Sequence, residues 1–248
     1  MSRPGRLERE IEFHRQISSH AETVWNWDSP SGRRRAARRS EIFAREGGLR
    51  PGQRALEVGC GTGIFLEAAA TTGASIVALD LSADLLAQAR ARVAAAGKVR
   101  LSLGNAEQMP FRDASFDAAY GSSILHHLNI DSALAEVHRV LRPGGRIVFT
   151  EPNILNPQVA VMFRLGLTKK YFGVSPDEMA FTRFRAARAL RAAGFANIAV
   201  RPFDFLHPST PARVMDGVAR IGRALEAIPL LREIAGSMII TATKPQSR

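Results

Sequence analysis

Ala55-Leu56-Glu57-Val58-Gly59-Cys60-Gly61-Thr62-Gly63-Ile64-Phe65 is the stretch that decides how this chain folds. An apolar strand runs into three glycines spaced by single residues and then into an Ala-rich amphipathic run. Backbone amides at such a helix start can approach a ligand without Cβ interference, as nucleotide-type ligands require. A dinucleotide fingerprint needs Gly-x-Gly-x-x-Gly. Here the glycines stand at 59, 61 and 63, and Ile64 occupies the required third position, which disfavours NAD. Glu57, two residues before the first glycine, can hold the loop or reach a ligand's ammonium group. A purely structural strand-to-helix corner is the competing reading of so short a glycine motif.

The 248 residues suffice for one α/β domain with some elaboration. Apolar residues at 46% and charged ones at 23% match ordinary globular usage and argue against disordered and fibrous classes. The single cysteine, Cys60, cannot form an internal disulfide and fits a reducing compartment. With no histidine near it in sequence, it reads as a small buried residue rather than a nucleophile. No N-terminal apolar h-region and no uninterrupted apolar run of about 18 residues occurs, so neither a signal peptide nor a membrane span is expected, and the location expected is cytoplasmic.

A formal charge of +11 raises nucleic acid or an anionic membrane as partners. Most of it is arginine scattered over expected helices, where charge is usually a solvated face. The one dense run is Arg33-Arg34-Arg35 with Arg38 and Arg39. Helical periodicity pairs Arg34 with Arg38 and Arg35 with Arg39, so the charges spread around the helix instead of forming one stripe. The run is expected to be a solvated or partner-facing surface, not a nucleic-acid footprint.

Residues 1–47 read as a helical arm in two pieces, broken at Asp28-Ser29-Pro30-Ser31-Gly32. Trp25 and Trp27, just before the break, either pack the arm on the domain or cover a ligand. Residues 48–248 read as one domain in which strands and helices alternate, which implies a parallel sheet with helices on both faces. Strands are expected at 54–58, 75–80, 98–103, up to Ser122, at 146–150, after Phe195, and at 237–243. Arg142-Pro143-Gly144-Gly145 reads as a helix stop before the fifth strand. Two segments, 152–180 and 208–233, have no place in the minimal alternation and read as helical insertions. Asp80 closes the second strand, 17 positions after Gly63, where a carboxylate can accept from both hydroxyls of a ribose. Helix capping is the alternative use, but Ser82 already serves it.

The glycine turn resembles motif I of the class I S-adenosylmethionine-dependent methyltransferases, usually Glu-x-Gly-x-Gly-x-Gly. Asp80-Leu81-Ser82 resembles their second motif, Gly104-Asn105-Ala106-Glu107 their third, Ser115 to Leu128 the fourth-strand motif of the small-molecule members, and Leu141-Arg142-Pro143-Gly144-Gly145 the approach to strand five. The resemblance covers 53–151, with a looser match over 182–200. It implies a Rossmann-like α/β fold: a seven-stranded, mostly parallel sheet with helices on both faces, plus the N-terminal helical arm and helical cap insertions. It also implies S-adenosylmethionine held by Glu57, Gly59, Cys60, Gly61 and Gly63, with ribose on Asp80, adenine against Leu81, Asn105, Ala106 and Glu107, and Ser122 at the end of strand four. The family commonly has Asp at position 105. The Asn105 amide oxygen can accept the same hydrogen bond without the charge that strengthens it.

The function so implied is methyl transfer to a small-molecule acceptor, through oxygen, nitrogen or carbon. An acceptor hydroxyl or amine must lose a proton, and His126 or His127, just past strand four, can take it. The alternative is a loop histidine that only holds cofactor or backbone. Adjacent histidines without Cys or carboxylate partners at ligand spacing argue against a metal. The acceptor pocket is expected under the insertions, walled by Phe163 with Asn153, Tyr171 and His207 as polar handles. Simple packing or a homo-oligomer interface competes for the same apolar faces. Two other functions compete: an RNA methyltransferase, for which the chain lacks an Asn-Pro-Pro-Tyr-type motif or an RNA-binding module, and a non-catalytic cofactor-binding scaffold, hinted at only by Asn105.

Overall fold

The structure, a computed structural model, describes residues 5–164 and 180–246. Its strands are β1 (Arg54–Val58), β2 (Ser75–Asp80), β3 (Val99–Leu103), β4 (Phe116–Ser122), β5 (Leu141–Pro152), β6 (Ala196–Phe203) and β7 (Ser237–Thr243). They form one sheet in the order β3-β2-β1-β4-β5-β7-β6. β1 to β5 pair in parallel, and β7 runs antiparallel to both β5 and β6.

Period-two alternation sends successive side chains to opposite faces, so the sheet builds two cores. Leu56, Val58, Leu79 and Phe149 enter one of them. There they meet Leu134 and Val137 of α6 (Ile130–Val140) and Ala186 and Leu190 of α8 (Arg183–Ala192). Ala55, Ala78, Ala118 and Tyr120 enter the other. They meet α4 (Ile64–Ala70), α5 (Ala83–Arg92) and α3 (Pro30–Gly47), the last through Ala36, Ile42 and Phe43.

The helix ends follow local chemistry. Ser29 caps α3 by accepting from the Gly32 amide at 2.9 Å, Pro30 opens the helix, and Gly48 closes it at φ 66°. Ser82 caps α5 and Asn129 caps α6. The two remaining helices of the arm are α1 (Arg6–Ile17) and α2 (Ala21–Val24).

Arg142-Pro143-Gly144-Gly145 does not separate α6 from a strand that starts at 146. β5 begins at Leu141, immediately after α6 ends at Val140. The pairing of Phe116 with Leu141 then jumps to Ala118 with Arg146, and Gly144 sits at φ 78°, so the four residues form a bulge.

Pro152 of β5 pairs with Ser237 of β7, and Phe203 of β6 pairs with the same residue. Both insertions therefore leave the sheet at the end where β1 meets its glycine turn. The first carries α7 (Pro157–Arg164); the second carries α9 (Met215–Ala227) and α10 (Pro229–Arg232).

Candidate active site

At the carboxyl end of β1, Gly59, Gly61 and Gly63 all take positive φ, at 68°, 52° and 82°. A Cβ on Gly59 would lie 2.5 Å from Ile124, and one on Gly63 would lie 3.1 Å from Ala89 of α5, so glycine is required by packing as well as by backbone. Asp80 fixes the turn from β2: one carboxylate oxygen accepts from the Gly61 amide at 2.7 Å and the other from Ser82 at 2.9 Å. A carboxylate offers about four lone-pair positions, so two amides leave capacity for two hydroxyls. Burial holds the Asp80 carboxyl above its ordinary value.

Glu57 does not line the cavity. It is buried beneath the turn, where it accepts from the Tyr120 hydroxyl at 2.8 Å, and burial raises its carboxyl to about 8. Burial, then Asp80 and Glu57, push the Cys60 thiol up as well, so it stays protonated and inert.

His126 and His127 follow β4 in a short helical turn, with ring centroids 4.3 Å apart. Nδ1 of His126 lies 2.7 Å from Glu151 at the end of β5, and the second Glu151 oxygen accepts from the Ile124 and Leu125 amides at 2.9 and 2.8 Å. The carboxylate thus fixes both the loop and the ring. With Nδ1–H donated to it, the imidazole lone pair falls on Nε2. His127 meets Glu10 of α1 at 3.3 Å.

The arm is clasped over this end of the sheet. Arg6 pairs with Glu107 and donates to the His127 carbonyl; Gln88 donates to the Ser18 carbonyl at 2.7 Å. Glu22 accepts from the Thr62 hydroxyl at 2.8 Å and pairs with Arg92. Trp25 stacks edge-on against His14, and Trp27 edge-on against Phe65 at 5.6 Å.

These elements enclose a cavity of about 370 Å³. Gly59, Cys60, Gly61, Asp80 and Ser122 line it together with His126, His127, Trp25 and Trp27; Phe163 comes from the first insertion, and Phe205 and His207 from the segment between β6 and the second. His207 accepts from the Ser209 amide through Nδ1 at 3.1 Å, and Gln158 Nε2 lies 2.6 Å from Nε2 of the same His207 ring. Burial and then Arg35 lower its basicity, which keeps it neutral.

Several expected site residues are placed elsewhere. Leu81, Asn105, Ala106 and Glu107 do not line the cavity, nor does Gly63. The Asn105 side chain closes its own turn on the Glu107 amide at 2.9 Å, and Glu107 is taken up by Arg6 and the Asn129 amide. Asn153 is not a polar handle for an acceptor: it is buried, and its amide donates to the Glu233 and Ala235 carbonyls at 2.8 and 2.9 Å, tying the insertions together. Tyr171 lies outside the described residues.

Four of the five arginines of the run are paired within the molecule, and Arg33 alone of them is exposed. Arg39 and Asp204 are buried, 2.8 Å apart, and Arg35 reaches the same carboxylate at 3.0 Å. Arg38 grips Glu226 of α9 with two bonds at 2.8 and 2.6 Å, and Arg34 pairs with Asp216. Both helical faces are therefore occupied, and α3 is riveted to the second insertion. Burial opposes ionisation of Asp204, but Arg39 and Arg35 together hold its carboxyl below the ordinary value. Burial, then the like charge of Arg35, brings Arg39 down to about 10. Both directions are consistent with one carboxylate facing two guanidiniums.

The sheet with its antiparallel seventh strand, and the glycine turn and β2 carboxylate that open onto one cavity, define a nucleotide-binding α/β protein of the methyltransferase kind. Residues 56–149 match the family described as methyltransferase domain. The chain is 30% identical over 176 residues to demethylmenaquinone methyltransferase of Staphylococcus aureus strain JH9, covering 63% of this chain and 73% of that protein. It is 37% identical over 137 residues to the O-methyltransferase resE of Aspergillus sclerotiorum, covering 52% of each. The fold matches that of Haemonchus contortus phosphoethanolamine N-methyltransferase 2, solved in complex with S-adenosyl-L-methionine, with a TM-score of 0.69 at 20% identity over 95% of this chain and 60% of that one. The chain belongs to the class I S-adenosylmethionine-dependent methyltransferase superfamily. It spans about half the length, or less, of the first curated relatives it matches.

Proposed function

We propose that this protein transfers a methyl group from S-adenosylmethionine to a small-molecule acceptor in the cytoplasm. The observation that carries the reading is one cavity that joins the Gly59–Gly61 backbone and Asp80 to His126, backed by Glu151. The residues fit the cofactor: the turn presents backbone without side chains, and Asp80 retains acceptor capacity for a ribose while holding the turn. When bound, the cofactor supplies an already activated methyl on a sulfonium. The protein's own work is to orient the acceptor, exclude water and take up a proton.

His126 serves as that base. Glu151 sets its tautomer and stabilises the imidazolium that forms when Nε2 takes a proton from an acceptor hydroxyl or amine. Phe163, edge-on to His126 at 5.7 Å, and Trp25 and Trp27 from the arm (residues 1–47) make the surroundings apolar. Phe163 and the His207–Gln158 pair form the acceptor wall and its polar handle. Ion pairing of the arginine run within the chain speaks against a nucleic-acid acceptor.

Calorimetry with S-adenosylhomocysteine and with NAD tests the cofactor assignment; tighter binding of NAD refutes it. Release of S-adenosylhomocysteine across a panel of phenols, carboxylic acids and amines tests catalysis. Binding without release on any acceptor returns the chain to a scaffold.

A further inference from the structure

Half of the large apolar side chains exposed among the described residues fall within 214–234. Leu230 is 85% exposed and Ile221 63%, with Val214, Ile228, Leu231 and Ile234 also exposed. Ile221 and Ala224 are spaced i, i+3, so they share one face of α9, and Ile228 follows at the helix's C-cap. The other face is fixed: Gly222 is buried against Phe205, where a Cβ would lie 3.1 Å from that side chain, and Glu226 is held by Arg38. The apolar stripe therefore points away from the body of the protein. Leu155 joins it from the first insertion, on the turn that Asn156 ties to the Ile234 carbonyl at 2.8 Å.

The charges around this stripe are sorted. The three acids of α9 and the α10 turn are each engaged by an arginine of another element: Asp216 by Arg34, Glu226 by Arg38 and Glu233 by Arg183 at 3.0 Å. Arg213, Arg220 and Arg223 are exposed and form no ion pair among the described residues. An outward apolar stripe flanked by exposed arginines outside any ion pair fits an interface with apolar depth and an anionic surface, where guanidiniums reach headgroups while their stems and the aliphatic side chains sink below them. No helix among the described residues is long and apolar enough to cross a membrane, which limits the contact to one lying on the surface.

We propose that α9 and α10 dock this protein on the surface of an anionic phospholipid bilayer. The α9 face that meets Phe205 backs the cavity, since Phe205 lines it, so docking holds the cap against the bilayer. The proposal stands apart from methyl transfer, because vesicle binding requires neither cofactor nor acceptor.

Co-sedimentation of the full chain with phosphatidylcholine vesicles, with and without phosphatidylglycerol, tests it. Binding is expected only with the anionic lipid and declines as salt is raised. Arg220→Gln with Arg223→Gln lowers the partition coefficient about fivefold per arginine removed, and Leu230→Asp abolishes binding. Thermal melting identical to that of the parent protein shows that these exposed changes leave the fold intact. Equal binding to neutral vesicles, no binding to either, or binding unchanged by all three substitutions overturns the proposal. So does a dimer in sedimentation equilibrium that Leu230→Asp dissociates while vesicles go unbound, which makes the face an interface between copies.

Discussion

Asp204→Asn tests the ion cluster that joins α3 to the second insertion. Asp204 sits at φ 72°, a region that Asn tolerates best among residues with a side chain beyond Cβ, so the backbone is not strained by the change. The side chain keeps its size and an acceptor for the Leu206 amide, which Asp204 engages at 3.2 Å. What disappears is the negative charge facing two guanidiniums, one of which, Arg39, is 2% exposed. Removing one partner of a buried pair costs about 3–5 kcal/mol. The lower half of that range applies, because Arg39 retains the Ser237 hydroxyl at 2.9 Å and the Arg35 carbonyl at 3.3 Å. At about 2–4 °C per kcal/mol for a chain of this size, melting at neutral pH should fall by roughly 6–16 °C. A depressed carboxyl stabilises the fold above its unfolded value of about 3.9, and that stability is lost as pH falls through the folded value. The deficit of the variant should therefore shrink on acidification below about pH 4. Circular dichroism melts from neutral to acid pH measure both effects. A shift within the range of a solvated face, about 0.5 kcal/mol, or a deficit independent of pH, refutes the buried cluster.

Glu57→Gln should stabilise the protein increasingly as pH rises from 4.5 to about 8, because a carboxyl raised by burial binds protons in the fold that the unfolded chain releases, and stability falls across that window; parallel melting curves for the two proteins would contradict it. Asp80→Asn should weaken S-adenosylhomocysteine binding by about 1–3 kcal/mol in calorimetry, and unchanged affinity removes Asp80 from the ribose site. His126→Ala should lower kcat by about 10²–10⁴ with affinity for S-adenosylhomocysteine retained, and Glu151→Gln should shift the acidic limb of the pH–rate profile; full activity in His126→Ala transfers the role of base elsewhere. Phe163→Ala should raise the acceptor KM without affecting cofactor affinity, as titration of each ligand will establish.

The strands and their order along the chain were legible because each carries its own period-two or continuous apolar pattern, with capping residues such as Ser82 beside it. The start of β5 was not. Arg142-Pro143-Gly144-Gly145 has the local chemistry of a helix stop and equally that of a bulge, and the choice rests on distant backbone: Gly144 donates to Lys244 at 2.9 Å, and Lys244 returns to Gly145 at 2.8 Å. In the same way the sequence showed α3 as a helix of the arm, while its burial against the sheet depends on Phe43 meeting Phe65 and Tyr120.

The site divides along the same line. That Gly59, Gly61, Asp80 and Ser122 line one cavity could be read because motif and chemistry lie within a few residues. Glu151 could not, since its partner His126 is 25 residues away, and Asp204 lies 165 residues from Arg39. The one usable signal was the set of acids at 204, 216 and 226, which matches the spread of arginines over both faces of α3. The pairing also reverses what net charge suggests. Most of the densest cationic run in the sequence is paired within the molecule, and α9 arginines that no motif marked remain outside, flanking an apolar stripe. A charge of +11 therefore gives no location for a partner until the internal pairs are subtracted, and the remainder near Arg220 and Arg223 points to a surface with apolar depth as well as negative charge.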